Sequence, residues 1–103
     1  QGLRSLEDGY VPPVFDPKVL DGQIVVDSKT SFATTKKLMT IFGIFSGISC
    51  GAVVRAAEML ADRIDSGTIV LILADGGWKY LSTDLWTKDF SEIEEDVKDI
   101  LWW

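Results

Sequence analysis

Residues 43–52 read Gly-Ile-Phe-Ser-Gly-Ile-Ser-Cys-Gly-Ala, and an apolar helical pattern follows at once. Three glycines in nine residues, Gly43, Gly47 and Gly51, permit a backbone that a Cβ would obstruct. The stretch is therefore expected to fold as a tight turn running straight into a helix. Ser49 and Cys50 fall where the first turn of that helix begins. A helix start carries unpaired N–H groups and a partial positive charge. Two readings of the turn stand side by side. Ser49 caps the helix, or the turn holds a ligand close to its backbone.

The flanking sequence builds outward from this turn. Residues 1–18 read as loop, punctuated by Gly2, Gly9, Pro12, Pro13 and Pro17. A chain that begins in such a loop reads as a piece of something longer. Arg4 is either a solvated cation or an anion clamp, since a guanidinium forks onto a carboxylate or phosphate. Gln23-Ile24-Val25-Val26-Asp27 predicts a short strand, with Ser28 as the N-cap of a helix over 29–42. Phe32, Thr35, Met39 and Phe42 mark that helix's apolar period, and Gly43 ends it. Lys36 and Lys37 fall on its outer side, where a solvated face is the ordinary role and a Schiff base the functional one.

The helix after the turn is expected over about 49–64. Val53, Ala57, Leu60 and Ile64 mark its inner face, widened by Val54 and Ala61, and Arg55 and Glu58 form a favourable pair outside. Asp65-Ser66-Gly67 turns the chain. Thr68-Ile69-Val70-Leu71-Ile72-Leu73-Ala74 is apolar on both alternating sets, as a strand covered on both faces of a parallel sheet would be. Ligands bind beyond the carboxyl ends of such strands. Asp75-Gly76-Gly77 and the Ser49 turn are therefore both candidates for lining a cleft, while the ordinary role of Asp75 is that of a turn former. Trp78-Lys79-Tyr80-Leu81-Ser82-Thr83 follows. Residues 89–101 predict a last helix with a capping box at Ser91 and Glu94. Trp102 and Trp103 end the chain and call for an apolar docking place. The order β-α-α-β-α predicts an α/β layer structure, with its strands in a mostly parallel sheet.

Composition limits the chemistry. The chain has 103 residues, 47% apolar and 25% charged, which is enough for one globular domain with a modest core. A net charge of −6 argues against a nucleic-acid surface. No apolar run approaches the roughly 20 residues that span a bilayer. The single cysteine excludes an internal disulfide and fits a reducing cytosol. The chain has no histidine, so Ser-His and Cys-His nucleophile pairs and His-ligated metals are excluded within it.

The turn Gly-Ile-Phe-Ser-Gly-Ile-Ser-Cys-Gly-Ala, then a helix, an apolar strand and Asp-Gly-Gly-Trp-Lys-Tyr-Leu-Ser-Thr, resembles the C-terminal third of a cysteine synthase. These are pyridoxal 5'-phosphate enzymes of fold type II, a group that includes cystathionine β-synthase. The resemblance covers nearly all of the chain. It implies that Ser49 hydrogen-bonds the pyridine nitrogen of the cofactor, that Gly47 and Gly51 allow close backbone approach, and that Asp75 and Gly76 lie near the ring. A neutral hydroxyl partner leaves that nitrogen unprotonated, which favours β-elimination and replacement. The family carries Ser or Thr where this chain has Cys50, which is expected to be a packing residue. The family's cofactor lysine, in a Ser-x-x-Asn-x-Lys segment, and its phosphate-binding loop have no counterpart in these residues. The resemblance thus implies that the chain alone is inactive.

Leu-Arg-Ser-Leu-Glu-Asp-Gly at 3–9, Asp16-Pro17 and the closing Leu-Trp narrow the resemblance to the O-phosphoserine-dependent cysteine synthases. It implies that Arg4 recognises the substrate phosphate, with O-acetylserine or homocysteine chemistry as the alternative. It also implies a small thiocarboxylate sulfur-carrier protein as donor, a homodimer, a cytoplasmic setting, and a C-terminal tail at 100–103 that closes over the cleft. Trp103 departs from the smaller final residue of that subgroup. The expected organisation is a substrate-binding loop at 1–18, an α/β core at 19–83, and a C-terminal helix and tail at 84–103. The reading from another class is a non-catalytic interaction module that docks through Trp102 and Trp103. A lysine-bearing segment encoded upstream of Gln1 separates the enzyme from the module.

Overall fold

The structure is a computed structural model, and it describes residues 11–78. A 3-10 turn at Pro17–Val19 precedes two helices, α1 at Ser28–Phe42 and α2 at Ile48–Ala61, which pack on one another. The Asp16 side chain starts the 3-10 turn by accepting from Lys18 N–H at 3.0 Å.

Asp27, not Ser28, caps α1. Its Oδ1 accepts from Thr30 N–H at 2.8 Å and its Oδ2 from the Thr30 hydroxyl at 2.8 Å. A carboxylate satisfies two donors at once, and it outcompetes the hydroxyl one residue later. Those two bonds hold the Asp27 carboxyl below the ordinary carboxylate range, the backbone bond contributing most. At the other end Gly43 adopts φ 68° and ψ 19°. Gly43 N–H donates to Met39 O and Ile44 N–H to Leu38 O, at 3.1 and 3.0 Å. This is the left-handed glycine stop expected from the sequence.

The buried face of α1 consists of Ser31, Phe32, Thr34, Thr35 and Leu38. Relative to the expected stripe it is rotated: Leu38 is buried, Met39 is half-buried and Phe42 is 63% exposed. Hydroxyls can sit inside because each donates to its own helix. Ser31 bonds Asp27 O at 2.9 Å, Thr34 bonds Thr30 O at 2.9 Å, and Thr35 bonds Ser31 O at 2.8 Å. Short side chains then let α2 come close. A Cβ on Gly51 would overlap Ser31 O and Thr35 Oγ1, so this crossing admits only glycine. Outside the contact, Glu58 accepts from Arg55 at 3.0 Å within α2 and from Lys37 of α1 at 3.4 Å. Both pairs are exposed and worth about 0–1 kcal/mol each. Lys36 lies 5.6 Å from the centre of the Phe32 ring.

α2 starts one residue before the expected boundary and ends three before it, at Ala61. Asp62 N–H to Glu58 O and Arg63 N–H to Leu60 O close its last turn. Its buried residues are Ile48, Cys50 and Gly51, at the start. Val53, Val54 and Ala57 are half-buried, and Leu60 and Ile64 are 38% and 40% exposed. The helix therefore anchors by its first turns, and its remaining apolar face is not covered by described residues.

Neither expected strand forms a ladder among the described residues. Residues 23–27 and 68–74 have no strand partner there, and Val70 and Ile72 are 86% and 80% exposed. A strand needs a neighbour to take its N–H and C=O groups. Here the pairing near these segments is limited to one isolated antiparallel bridge, Ser46 with Gly76. The described part is thus two helices and their turns, and the sheet of the expected α/β layer is not among its elements.

Candidate functional site

The bridge between Ser46 and Gly76 joins the two stretches that the sequence marks as cleft-lining. Gly47 N–H donates to Asp75 O at 3.2 Å, and Gly77 N–H donates to Phe45 O at 3.3 Å. The turn before α2 and the turn at 75–77 are therefore one corner of the fold. Ser49, Gly47, Asp75 and Gly76 all belong to it.

Gly47, with φ −79° and ψ 174°, is the N-cap of α2, and no side chain caps the helix. This corrects the capping role considered for Ser49. Ser49 lies in the second helical position, two residues too deep to bond back to the first amides as a cap does. Cys50 N–H reaches Gly47 O at 3.1 Å to close the first turn. With the cap supplied by backbone, the Ser49 hydroxyl has no hydrogen-bond partner among the described residues and is half-buried. Its neighbours Ile48 and Cys50 are each 1% exposed. Ser49 is the one residue of 46–51 that is not fully buried.

The glycines have separate reasons. A Cβ on Gly47 would overlap the Asp75 carboxylate, and one on Gly76 would overlap the Trp78 ring. Gly51 serves the helix crossing. Cys50 Sγ donates toward Asp75 O at 3.4 Å and stands 3.5 Å from Asp75 Oδ1. The packing role expected of Cys50 thus comes with a specific polar contact. Sequence reasoning also passed over Ser46, which is 2% exposed and whose hydroxyl has no partner among the described residues. No spacing rule flags such a group, because the burial arises from a bridge between residues thirty positions apart. Arg4, the Tyr-Leu-Ser-Thr motif beyond Trp78, the helix expected at 89–101 and Trp102 and Trp103 lie outside the described residues.

The corner suits a pyridine ring at its nitrogen edge. A half-buried hydroxyl with no hydrogen-bond partner among the described residues, in a turn of otherwise buried residues, is a donor that such a nitrogen can accept from. The residues present therefore fit pyridoxal phosphate at this position.

No family model matches the chain. Curated proteins do. O-ureido-L-serine synthase of Streptomyces lavendulae is 39% identical over 98 residues, which is 94% of this chain and 29% of that protein. The probable cysteine synthase of Bacillus subtilis is 38% identical over 86 residues, 82% of this chain and 28% of its own length. Cysteine synthase A of Escherichia coli is 35% identical over 94 residues, 89% of this chain and 29% of its own. The shared class is the pyridoxal-phosphate enzymes of fold type II. Within that class the chain belongs to the cysteine synthase family and matches the C-terminal portion of its members. It spans less than a third of the length of the curated relatives it matches.

Proposed function

We propose that this chain forms the C-terminal part of a pyridoxal-phosphate cysteine synthase that carries out β-replacement on an O-substituted L-serine, with sulfur as the incoming nucleophile. The observation that carries the reading is Ser49. Gly47 caps α2 through its backbone, and the Ser49 hydroxyl is left without a partner among the described residues at the start of the helix. Family membership supplies the cofactor that such a donor suits.

Bound pyridoxal phosphate supplies the electron sink that makes the β-substituent a leaving group. The chain's own residues do the rest by position. Ser49 Oγ would donate to the ring nitrogen and so hold that edge of the cofactor. A hydroxyl gives that nitrogen a hydrogen bond and no negative counter-charge, so the nitrogen stays unprotonated. Gly47 and Gly76 let the Asp75 carboxylate and the Trp78 ring close against the turn, so these glycines shape the corner that presents Ser49. The lysine that binds the cofactor belongs, on this reading, to the rest of the enzyme, and residues 1–103 alone are inactive.

The substrate is O-phosphoserine. Arg4 supports this: a guanidinium matches a phosphate dianion with paired hydrogen bonds, whereas an acetyl ester leaves the cation unpaired. A thiocarboxylate carrier protein is the matching donor, and the complete enzyme is a cytoplasmic homodimer with a mostly parallel sheet around residues 68–74. The likeness to O-ureido-L-serine synthase favours one further reading, in which the nucleophile is not sulfur but the leaving group still departs from the β-carbon of a serine derivative.

Steady-state assays on the complete enzyme separate these readings. With sulfide present, cysteine formation from O-phosphoserine should exceed that from O-acetylserine, and Arg4→Ala should erase the difference. A preference for O-acetylserine that ignores Arg4→Ala discards the phosphate assignment and keeps the family chemistry. Failure to form cysteine from either ester overturns the sulfur reading.

A further inference from the structure

Ser49 is bracketed by two residues that the fold holds in place, and both restraints lead to Asp75. The Asp75 main-chain carbonyl accepts from Gly47 N–H at 3.2 Å and lies 3.4 Å from Cys50 Sγ. Its carboxylate approaches the same thiol at 3.5 Å and covers the Gly47 Cα so closely that any Cβ there would overlap it. On the far side, Gly77 N–H to Phe45 O and the Ser46–Gly76 bridge fix the register of the two turns. The first turn of α2 is thus tied down at the residue before Ile48 and at the residue after Ser49.

We propose that Asp75 and Cys50 form a clasp that positions the Ser49 hydroxyl, making them positioning residues that act through Ser49. The inference rests on the cofactor role of Ser49 argued above. It reassigns Asp75 from the ring's surroundings to the backbone of the turn, and it gives Cys50 a directional role beyond filling space. The thiol is 1% exposed, so its S–H is not diverted to water. A lone S–H···O contact is weak. Its effect here is geometric, because the turn has no side-chain cap and the Ser49 hydroxyl has no hydrogen-bond partner among the described residues. A hydrogen bond to a ring nitrogen prefers an angle above about 150° and weakens steeply below about 120°.

The test is a double-mutant cycle on the complete enzyme, read by the cofactor dissociation constant and by the absorption and emission of the bound cofactor. With Ser49 present, Asp75→Ala and Cys50→Ala should each weaken cofactor retention roughly 2- to 10-fold, the range a single hydrogen bond of ordinary strength covers. Cys50→Ser keeps a donor and should stay within about twofold. In a Ser49→Ala background neither Asp75→Ala nor Cys50→Ala should cost anything further. In the cofactor-free enzyme both should speed amide exchange at Gly47 and Cys50, a readout independent of activity. Effects of equal size with and without Ser49 contradict the clasp and leave only general packing. Asp75→Ala keeps the main-chain carbonyl and removes only the carboxylate arm, so it reads that arm alone; unchanged exchange and retention in Cys50→Ala contradict the clasp. If Ser49→Ala itself leaves retention and spectrum intact, it is the underlying reading of Ser49 that has failed.

Discussion

At the scale of single residues, the site depends on which group caps α2. Gly47 does so by backbone alone, and that choice leaves the Ser49 hydroxyl available. Ser49→Ala in the complete enzyme should weaken cofactor retention by about 2- to 10-fold, from the roughly 0.5–1.5 kcal/mol of one hydrogen bond, while the thermal midpoint barely moves. Equilibrium dialysis with a parallel melting curve checks both halves. A large drop in stability with unchanged retention would mean that Ser49 is structural after all. Much of this was legible in the sequence, since the glycine spacing and Ser49 locate the turn. The cap was not. Hydroxyl capping of a helix start is the common case, and only the backbone conformation at Gly47 reveals that the turn dispenses with it. The Cys50–Asp75 contact was hidden for another reason: it links residues twenty-five positions apart.

At the scale of elements, two devices hold the helices. The first is the crossing of α1 and α2 at Gly51, which a Cβ would obstruct by meeting Ser31 O and Thr35 Oγ1. One of those atoms is backbone, so the helices must separate to admit a methyl group. Gly51→Ala should destabilise by about 1–3 kcal/mol, measured by denaturant unfolding. A neutral result would mean the helices cross more loosely than described. The second is the Asp27 cap. Because its carboxyl titrates below the ordinary range in the folded chain, its contribution is complete at neutral pH. That contribution is lost as pH falls through the folded value. Asp27→Ala should lower the melting temperature near neutral pH and approach the parent's value in acid, where the parent has lost the same contribution. A gap that persists unchanged in acid would contradict this. The helical segments were readable from period and glycine stops. The rotation of the buried face of α1 was not, because Ser31 and Thr34 read as surface residues until their hydroxyls are seen to bond back within the helix.

At the scale of the whole molecule, the apolar stretch 68–74 and the later apolar face of α2, toward Leu60 and Ile64, call for cover that the described residues do not provide. Val70 and Ile72 alone expose 86% and 80% of their surface. On the proposed function that cover is the remainder of a cysteine synthase, whose sheet would take both faces of the stretch. The sequence signalled this through a run apolar on both alternating sets. Local pattern specifies that a segment is to be buried without specifying what buries it. The central claim, that this chain completes a pyridoxal-phosphate active site acting on O-phosphoserine, is tested most directly by the visible absorbance of the complete enzyme. The spectrum would be recorded while O-phosphoserine, and separately O-acetylserine, is added without a sulfur donor. The account predicts a cofactor band that shifts with O-phosphoserine at lower concentration than with O-acetylserine, and an Arg4→Ala variant in which that preference is gone. A protein with no cofactor band, or with a band that neither ester moves, would contradict it.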